Sequence, residues 1–104
     1  MANPWRGEVS LVIDGVPYEA RLTLGALAEL EEALGEGSIL ALAERFESNG
    51  FSSRDVVALL GAGLRGSGAE ITQAELMAAE IDGGPMAAAT AAAELLARAF
   101  MVPE

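Results

Sequence analysis

The side chains of this sequence that could carry acid–base chemistry are almost all carboxylates. The chain has no Cys and no His, which excludes thiol catalysis, disulfides and cysteine metal sites and removes the commonest general base. Glu31 and Glu32 are adjacent and would point about 100° apart on a helix, whereas Glu29 and Glu32 are three residues apart and could approach. We interpret these residues, like Glu44 and Glu47, as solvated helix faces. The sequence therefore predicts no enzymatic activity, no cofactor and no metal.

Two glycine-containing segments have some features of ligand sites. Residues 61–68 begin with a G-x-G pattern, but they lie at the end of a predicted helix, lack the Lys of a P-loop and belong to no βαβ unit. We interpret Gly61 and Gly63 as sites of close helix packing and the last two glycines as an exit turn. Residues 82–84 lack the spaced acidic ligands of a calcium loop, so they are interpreted as a turn that ends a helix.

Composition predicts one domain with a core of small aliphatic side chains. The chain has 104 residues, of which 52% are hydrophobic and only 5% aromatic. Its net charge of −10 disfavours nucleic acid and anionic membranes and favours a basic protein partner. Because we see neither a signal-peptide pattern nor an apolar stretch as long as a membrane span, we expect a cytoplasmic protein.

The strongest local signal is a β-hairpin over residues 8–22. Asp14-Gly15 separates two runs of alternating polar and apolar residues, and this dipeptide favours a type I′ turn because both positions need a positive φ. A two-residue turn fixes the register and puts six side chains on one face. The opposed pairs are Ile13 and Val16, Leu11 and Tyr18, and Val9 and Ala20.

The rest of the chain predicts helices separated by glycines, at about residues 24–34, 39–48, 53–65, 73–81 and 86–101. Ser52 with Asp55 and Thr72 with Glu75 have the spacing of helix N-caps. We therefore predict an α+β fold in which the hairpin packs on four to five short helices. We expect the apolar hairpin face to lie on the leucine face of the first helix, with Leu27 in that interface.

The Ala-rich segment that begins at Met86 is the best candidate for binding a partner. Its small side chains would let another helix approach closely, and its larger ones add adaptable apolar surface. Trp5 is a further candidate because tryptophan is enriched in binding hot spots. The alternatives are that the segment packs in the core of the domain and that Trp5 plugs one end of it. The candidate partner-binding residues are Trp5, Met86, Leu95, Leu96, Phe100 and Met101.

Three segments, residues 6–9, 22–31 and 59–66, carry a resemblance to a known family. Their order and composition are similar to those of the small tail proteins encoded in gene transfer agents and related phage tail clusters of alphaproteobacteria. These proteins are classed among phage tail assembly chaperones and are sometimes labelled tail tube proteins. The resemblance covers most of the chain and carries over no catalytic residues.

The resemblance implies a tail assembly chaperone. Such chaperones bind the tape measure protein, keep it soluble and recruit tail tube subunits. The expected partners are therefore the tape measure and tail tube proteins, with self-association left open, and the protein would act in the host cell and be absent from the mature particle. One alternative is a structural tail component, such as a tube or connector subunit. The other is an unrelated adaptor module.

Overall fold

The computed structural model describes residues 8–34 and 39–99, apart from the side chains of residues 33, 34 and 40. Within these ranges, a two-stranded antiparallel sheet is followed by five α-helices, which confirms the predicted α+β class. The elements are β1 (Val9–Ile13), β2 (Val16–Ala20), α1 (Leu24–Leu34), α2 (Ile39–Glu47), α3 (Ser53–Gly66), α4 (Gln73–Ala78) and α5 (Gly84–Ala99).

The hairpin has the predicted turn and register. Asp14 and Gly15 have φ values of 51° and 79°, as a type I′ turn requires. Ile13 pairs with Val16, and the remaining pairs follow in the predicted order as far as Val9 with Ala20. Coverage of the shared face is uneven, because Val16 is 49% exposed whereas the other residues of that face are buried or half-buried.

The two predicted N-caps are present as complete capping boxes. At the start of α3 the Asp55 amide donates to the Ser52 hydroxyl, and the Ser52 amide donates to the Asp55 carboxylate. Thr72 and Glu75 make the same reciprocal pair at the start of α4. Each box satisfies two amides that would otherwise have no partner in the first turn.

Helix α3 is the centre of the fold, and this corrects the predicted position of the hairpin. The hairpin packs mainly on α3 and α5, whereas α1 packs on α3. The prediction that the hairpin lies on the leucine face of α1 is therefore wrong. On that helix Leu30 is fully buried, Leu27 is only half-buried and Leu24 is 84% exposed.

Glycines in α3 explain why the hairpin packs there. A Cβ built on Gly63 would lie 2.9 Å from Leu95 Cδ1 and 3.2 Å from Ala20 Cβ, so its absence lets α5 and β2 approach α3 closely. The Arg21 amide, just after β2, donates to the Gly63 carbonyl at 2.8 Å. The interpretation of this glycine as a site of close packing is confirmed.

The segment between α4 and α5 pairs with β1 instead of continuing the helix. An antiparallel bridge joins Ile13 and Ile81. The Asp14 amide donates to the Glu80 carbonyl at 2.7 Å, and the Asp82 amide donates to the Val12 carbonyl at 2.9 Å. Helix α4 consequently ends at Ala78 and not near residue 81 as predicted.

The other helix bounds differ little from the predicted ones. Helix α5 begins at Gly84, two residues before the predicted start, and is described as far as Ala99. Its predicted end at residue 101 lies outside the described residues.

Candidate partner-binding surfaces

The carboxylates do not form a metal-binding cluster in the described part of the chain. In residues 8–34 and 39–99, no group of three or more Asp and Glu side chains could hold a metal ion. Glu29 is not simply a solvated side chain, because its carboxylate accepts a 2.9 Å hydrogen bond from Arg65 Nε. The same guanidinium donates to the Ile71 carbonyl, so the pair joins α1 to α3 and to the loop before α4. Glu29 therefore has a structural role.

None of the helices in the described ranges is both long and apolar enough to cross a membrane.

The Ala-rich helix α5 turns most of its apolar side chains into the core. Leu95 is 1% exposed, and Leu96 is also buried. Both were predicted to contact a partner. In this chain they lie in the core cluster, and Leu95 packs at Gly63 of α3. Their spacing suits a core-facing stripe equally well, so the sequence did not distinguish the two roles.

Met86 is the predicted contact residue that the structure places at the surface, with 79% of its side chain exposed. Its binding to a partner stays a prediction. Trp5, Phe100 and Met101 lie outside the described residues.

A cleft opens where the hairpin turn meets α4, and we call it the tip cleft. It has a volume of about 210 Å³. Its apolar lining comes from both sides of the gap, with a hairpin wall facing a wall from the loop before α4 and the end of α4. The lining residues are Ile13, Asp14, Val16, Tyr18, Glu70, Ile71, Glu75 and Ala79.

Backbone hydrogen bonds fix the walls of the tip cleft. The Glu80 amide donates to the Asp14 carboxylate at 2.9 Å and ties the hairpin turn to the segment after α4. On the opposite wall, the Thr72 amide donates to the Glu75 carboxylate at 2.8 Å within the capping box. The first link fixes the hairpin turn against the segment after α4, and the second fixes the Glu75 carboxylate against the loop before α4.

The mouth of the tip cleft is acidic. Asp14, Glu70 and Glu75 are exposed at its rim, and no basic residue is among those that line it. Hydrogen bonds from the Thr72 backbone and hydroxyl lower the pKa of Glu75, so this carboxyl group is ionised at neutral pH. The lining thus combines apolar side chains, of which Val16 is exposed, with three carboxylates.

A second, more open cleft lies along the other end of β2. Its volume is about 450 Å³, and its lining includes Glu8, Glu19, Arg21 and Ser67. The Ser67 hydroxyl donates to the Glu19 carbonyl across this gap. Because the lining mixes both signs of charge, it does not favour one class of partner.

Two further apolar side chains are exposed on helices. Leu24 begins α1, and Met77 in α4 is 68% exposed. Single exposed apolar residues are common on protein surfaces. An exposed apolar residue indicates a binding site only where it lines a cleft, as Val16 does.

The residues of the tip cleft were not identified from the sequence as a site. Val16 was predicted on the inner face of the hairpin, but nothing in the local pattern shows that the helices leave it uncovered. Glu70 and Ile71 lie about 55 residues further along the chain. They lie beside Val16 only because of how α4 packs, and the periodicity of apolar residues in the sequence does not predict that packing.

A family model described as "Phage tail tube protein, GTA-gp10" matches residues 6–102, which is nearly the whole chain. No curated protein and no solved structure shows a significant match.

Proposed function

The chain belongs to the GTA-gp10 family of phage tail tube proteins, and we propose on this basis that it is a non-catalytic structural component of a phage-like tail. The match over residues 6–102 is the observation that carries the proposal. It favours the structural alternative of the sequence analysis over the chaperone interpretation, because the family description names a tube protein. The protein would act by binding other tail proteins, including further copies of itself.

An acidic cleft and exposed apolar side chains support a binding role. The tip cleft is lined by three carboxylates, those of Asp14, Glu70 and Glu75. Apolar side chains such as Val16, Met77 and Met86 are exposed, and such side chains are suited to contacts with other proteins.

A second candidate, the tail assembly chaperone, is favoured by a different observation. The sheet of the described chain has only two strands, whereas a ring of tube subunits is expected to need a larger sheet. A mostly helical protein with exposed methionines suits reversible binding of a helical tape measure protein, since methionine adapts its shape to different partners. In this case the protein would leave the tail before the particle is complete.

Particle composition separates the two candidates. Tails would be purified from cells that express the complete tail gene cluster, and the copies of this chain per tape measure protein would be counted by quantitative mass spectrometry. A structural component would be present in a fixed multiple and would resist washing with high salt. A chaperone would be absent from the particle, yet deletion of its gene would abolish tail formation.

Co-expression provides the second test. A chaperone would keep the tape measure protein soluble and co-elute with it in size-exclusion chromatography, whereas a tube component would associate with tube subunits or with itself. If the chain were absent from particles and its deletion left tail assembly unchanged, both candidates would be rejected.

A further inference from the structure

The inner face of the hairpin is covered by helices except at its tip. Val9, Leu11, Ile13 and Ala20 are buried on this face, whereas Val16 is 49% exposed. Val16 lies opposite Ile13 in the register and lines the tip cleft together with it. The core thus covers Ile13 but not its partner Val16, whose apolar side chain stays open to solvent beside the turn.

The size of the tip cleft limits what it can hold. At about 210 Å³ it is smaller than the roughly 300–1,000 Å³ of typical small-molecule sites. It has room for about one apolar side chain, and Val16 and Ile71 are among the residues that would contact it. This favours a protein segment as the occupant over a cofactor or metabolite.

The charge at the rim specifies the chemistry of that segment. Asp14 and Glu75 each use a carboxylate oxygen to accept a backbone amide, and a carboxylate can accept further hydrogen bonds. Glu70 adds a third negative charge at the mouth. The Arg65 guanidinium reaches the Ile71 carbonyl beside the cleft, but that side chain is paired with Glu29.

From these observations we infer that the tip cleft binds a segment of another tail protein in which one aliphatic side chain is flanked by Arg or Lys. The aliphatic side chain covers Val16, and the flanking cations contact the carboxylates at the rim. This inference rests on the proposed function, since it names the surface through which the chain would bind its neighbour. Charge complementarity would also orient the segment and speed its encounter with this acidic protein.

The test is an NMR titration of the full-length, ¹⁵N-labelled protein with a five-residue capped peptide of sequence Gly-Arg-Leu-Arg-Gly. Binding should shift the amides of Asp14, Val16, Ile71 and Glu75 and should weaken as salt is raised. A peptide with Glu in place of Arg and one with Gly in place of Leu should each bind more weakly. If no cleft amide shifts at millimolar peptide, or if the acidic peptide binds equally well, the inference is wrong.

Matched variants locate the site. Glu70→Lys reverses a charge at the rim and should weaken binding about fivefold, whereas Glu31→Lys makes the same change on the exposed face of α1 and should have no effect. Val16→Thr keeps the β-branched shape but removes apolar surface, so it should weaken binding while the rest of the spectrum is unchanged. Equal weakening by Glu70→Lys and Glu31→Lys would mean nonspecific attraction to an acidic protein.

Self-association is a further outcome of the titration. If the cleft amides shift with protein concentration before peptide is added, the occupant is a second copy of this chain, and the inference about another tail protein is overturned. The titration does not depend on particle composition, so its failure and the failure of the proposed function can be told apart.

Discussion

Asp55 is the one charged side chain in the described ranges that is buried, with 5% exposure. It accepts hydrogen bonds from Arg45 Nε at 3.1 Å, from Arg45 Nη2 at 3.2 Å and from the Ser52 amide at 2.9 Å. Burial by itself raises the pKa of this carboxyl group, but the hydrogen bonds and the charge of Arg45 outweigh it, and the pKa is lowered. One carboxylate thus caps α3 and ties it to the end of α2.

Asp55→Asn should lower the free energy of unfolding at pH 7 by about 1–3 kcal/mol, because an amide cannot replace a charge-assisted pair with Arg45. The native pKa lies below the unfolded value of about 3.9. The stabilisation is therefore present above that value and is lost as pH falls through the native pKa. Urea denaturation at pH 7 and at pH 3 would test this, with a smaller difference between variant and parent expected at pH 3.

The control for Asp55 is Glu75→Gln, which changes the matching position of an exposed capping box without an Arg partner in its hydrogen bonds. It should destabilise the protein less than Asp55→Asn does. A destabilisation by Asp55→Asn that is the same at pH 7 and pH 3 would refute the assignment of its stabilisation to the ionised carboxylate.

At the scale of elements, α3 contacts α1, α4, α5 and β2 and so holds the fold together. The missing side chains of its glycines leave space into which neighbouring elements pack. A Cβ on Gly61 would lie 2.9 Å from the Gln73 side-chain oxygen and 3.1 Å from the Arg65 guanidinium, so this position leaves room for the Gln73 side chain and for the Arg65 guanidinium that pairs with Glu29 of α1. A Cβ on Gly66 would overlap the Arg21 carbonyl oxygen, where the chain leaves β2. Small residues here are required by packing.

Gly66→Ala should destabilise the protein by about 1–3 kcal/mol, since the added methyl group meets backbone that cannot move independently of the hairpin. Gly25→Ala should instead stabilise it by about 0.4–1 kcal/mol, because Gly25 lies in α1 and a Cβ there would contact only the Thr23 hydroxyl, at 3.9 Å. The midpoint of chemical denaturation, at unchanged slope, measures both. If Gly66→Ala raised the midpoint as Gly25→Ala does, helix propensity rather than close packing would govern position 66.

At the scale of the whole molecule, three of the six basic side chains form ion pairs within the described part of the chain. Arg45 pairs with Asp55, Arg65 with Glu29, and Arg98 with Glu94. Most acidic side chains are left at the surface, and the net charge is −10. Such a surface keeps the protein soluble, but it also opposes the compact state through repulsion among like charges.

Salt should therefore raise the melting temperature at pH 7. Ions screen the long-range repulsion among exposed carboxylates, whereas the partly buried pair of Arg45 and Asp55 is screened less. Calorimetry from about 10 mM to 500 mM NaCl would measure the effect, the Debye length falling over this range from about 30 Å to below 10 Å. Near the sequence pI of about 4.2 the same salt series should have little effect. A melting temperature that falls with salt at pH 7 would mean that the ion pairs dominate.

The sequence by itself determined the features that depend on neighbours in the chain. The Asp14-Gly15 turn, the hairpin register, both capping boxes and the α+β class follow from local requirements: a positive φ at two positions, a period of two or 3.6 residues, and a cap three residues before its partner. Each requirement involves only a few neighbouring residues, so the local sequence pattern predicts the feature directly.

Only the tertiary structure decided which apolar faces meet. The leucines of α1 were the predicted cover for the hairpin, but Gly63 and Gly66 of α3 leave room for Ala20 and for the Arg21 backbone at the end of β2. Leu95 and Leu96 lie in the core, with Leu95 packed at Gly63, and the bridge between Ile13 and Ile81 follows the end of α4. The tip cleft combines side chains about 55 residues apart in the chain, so it exists only once α4 is packed beside the hairpin turn. Periodicity shows that a face is apolar, but the packing energy that selects its partner depends on all the faces together.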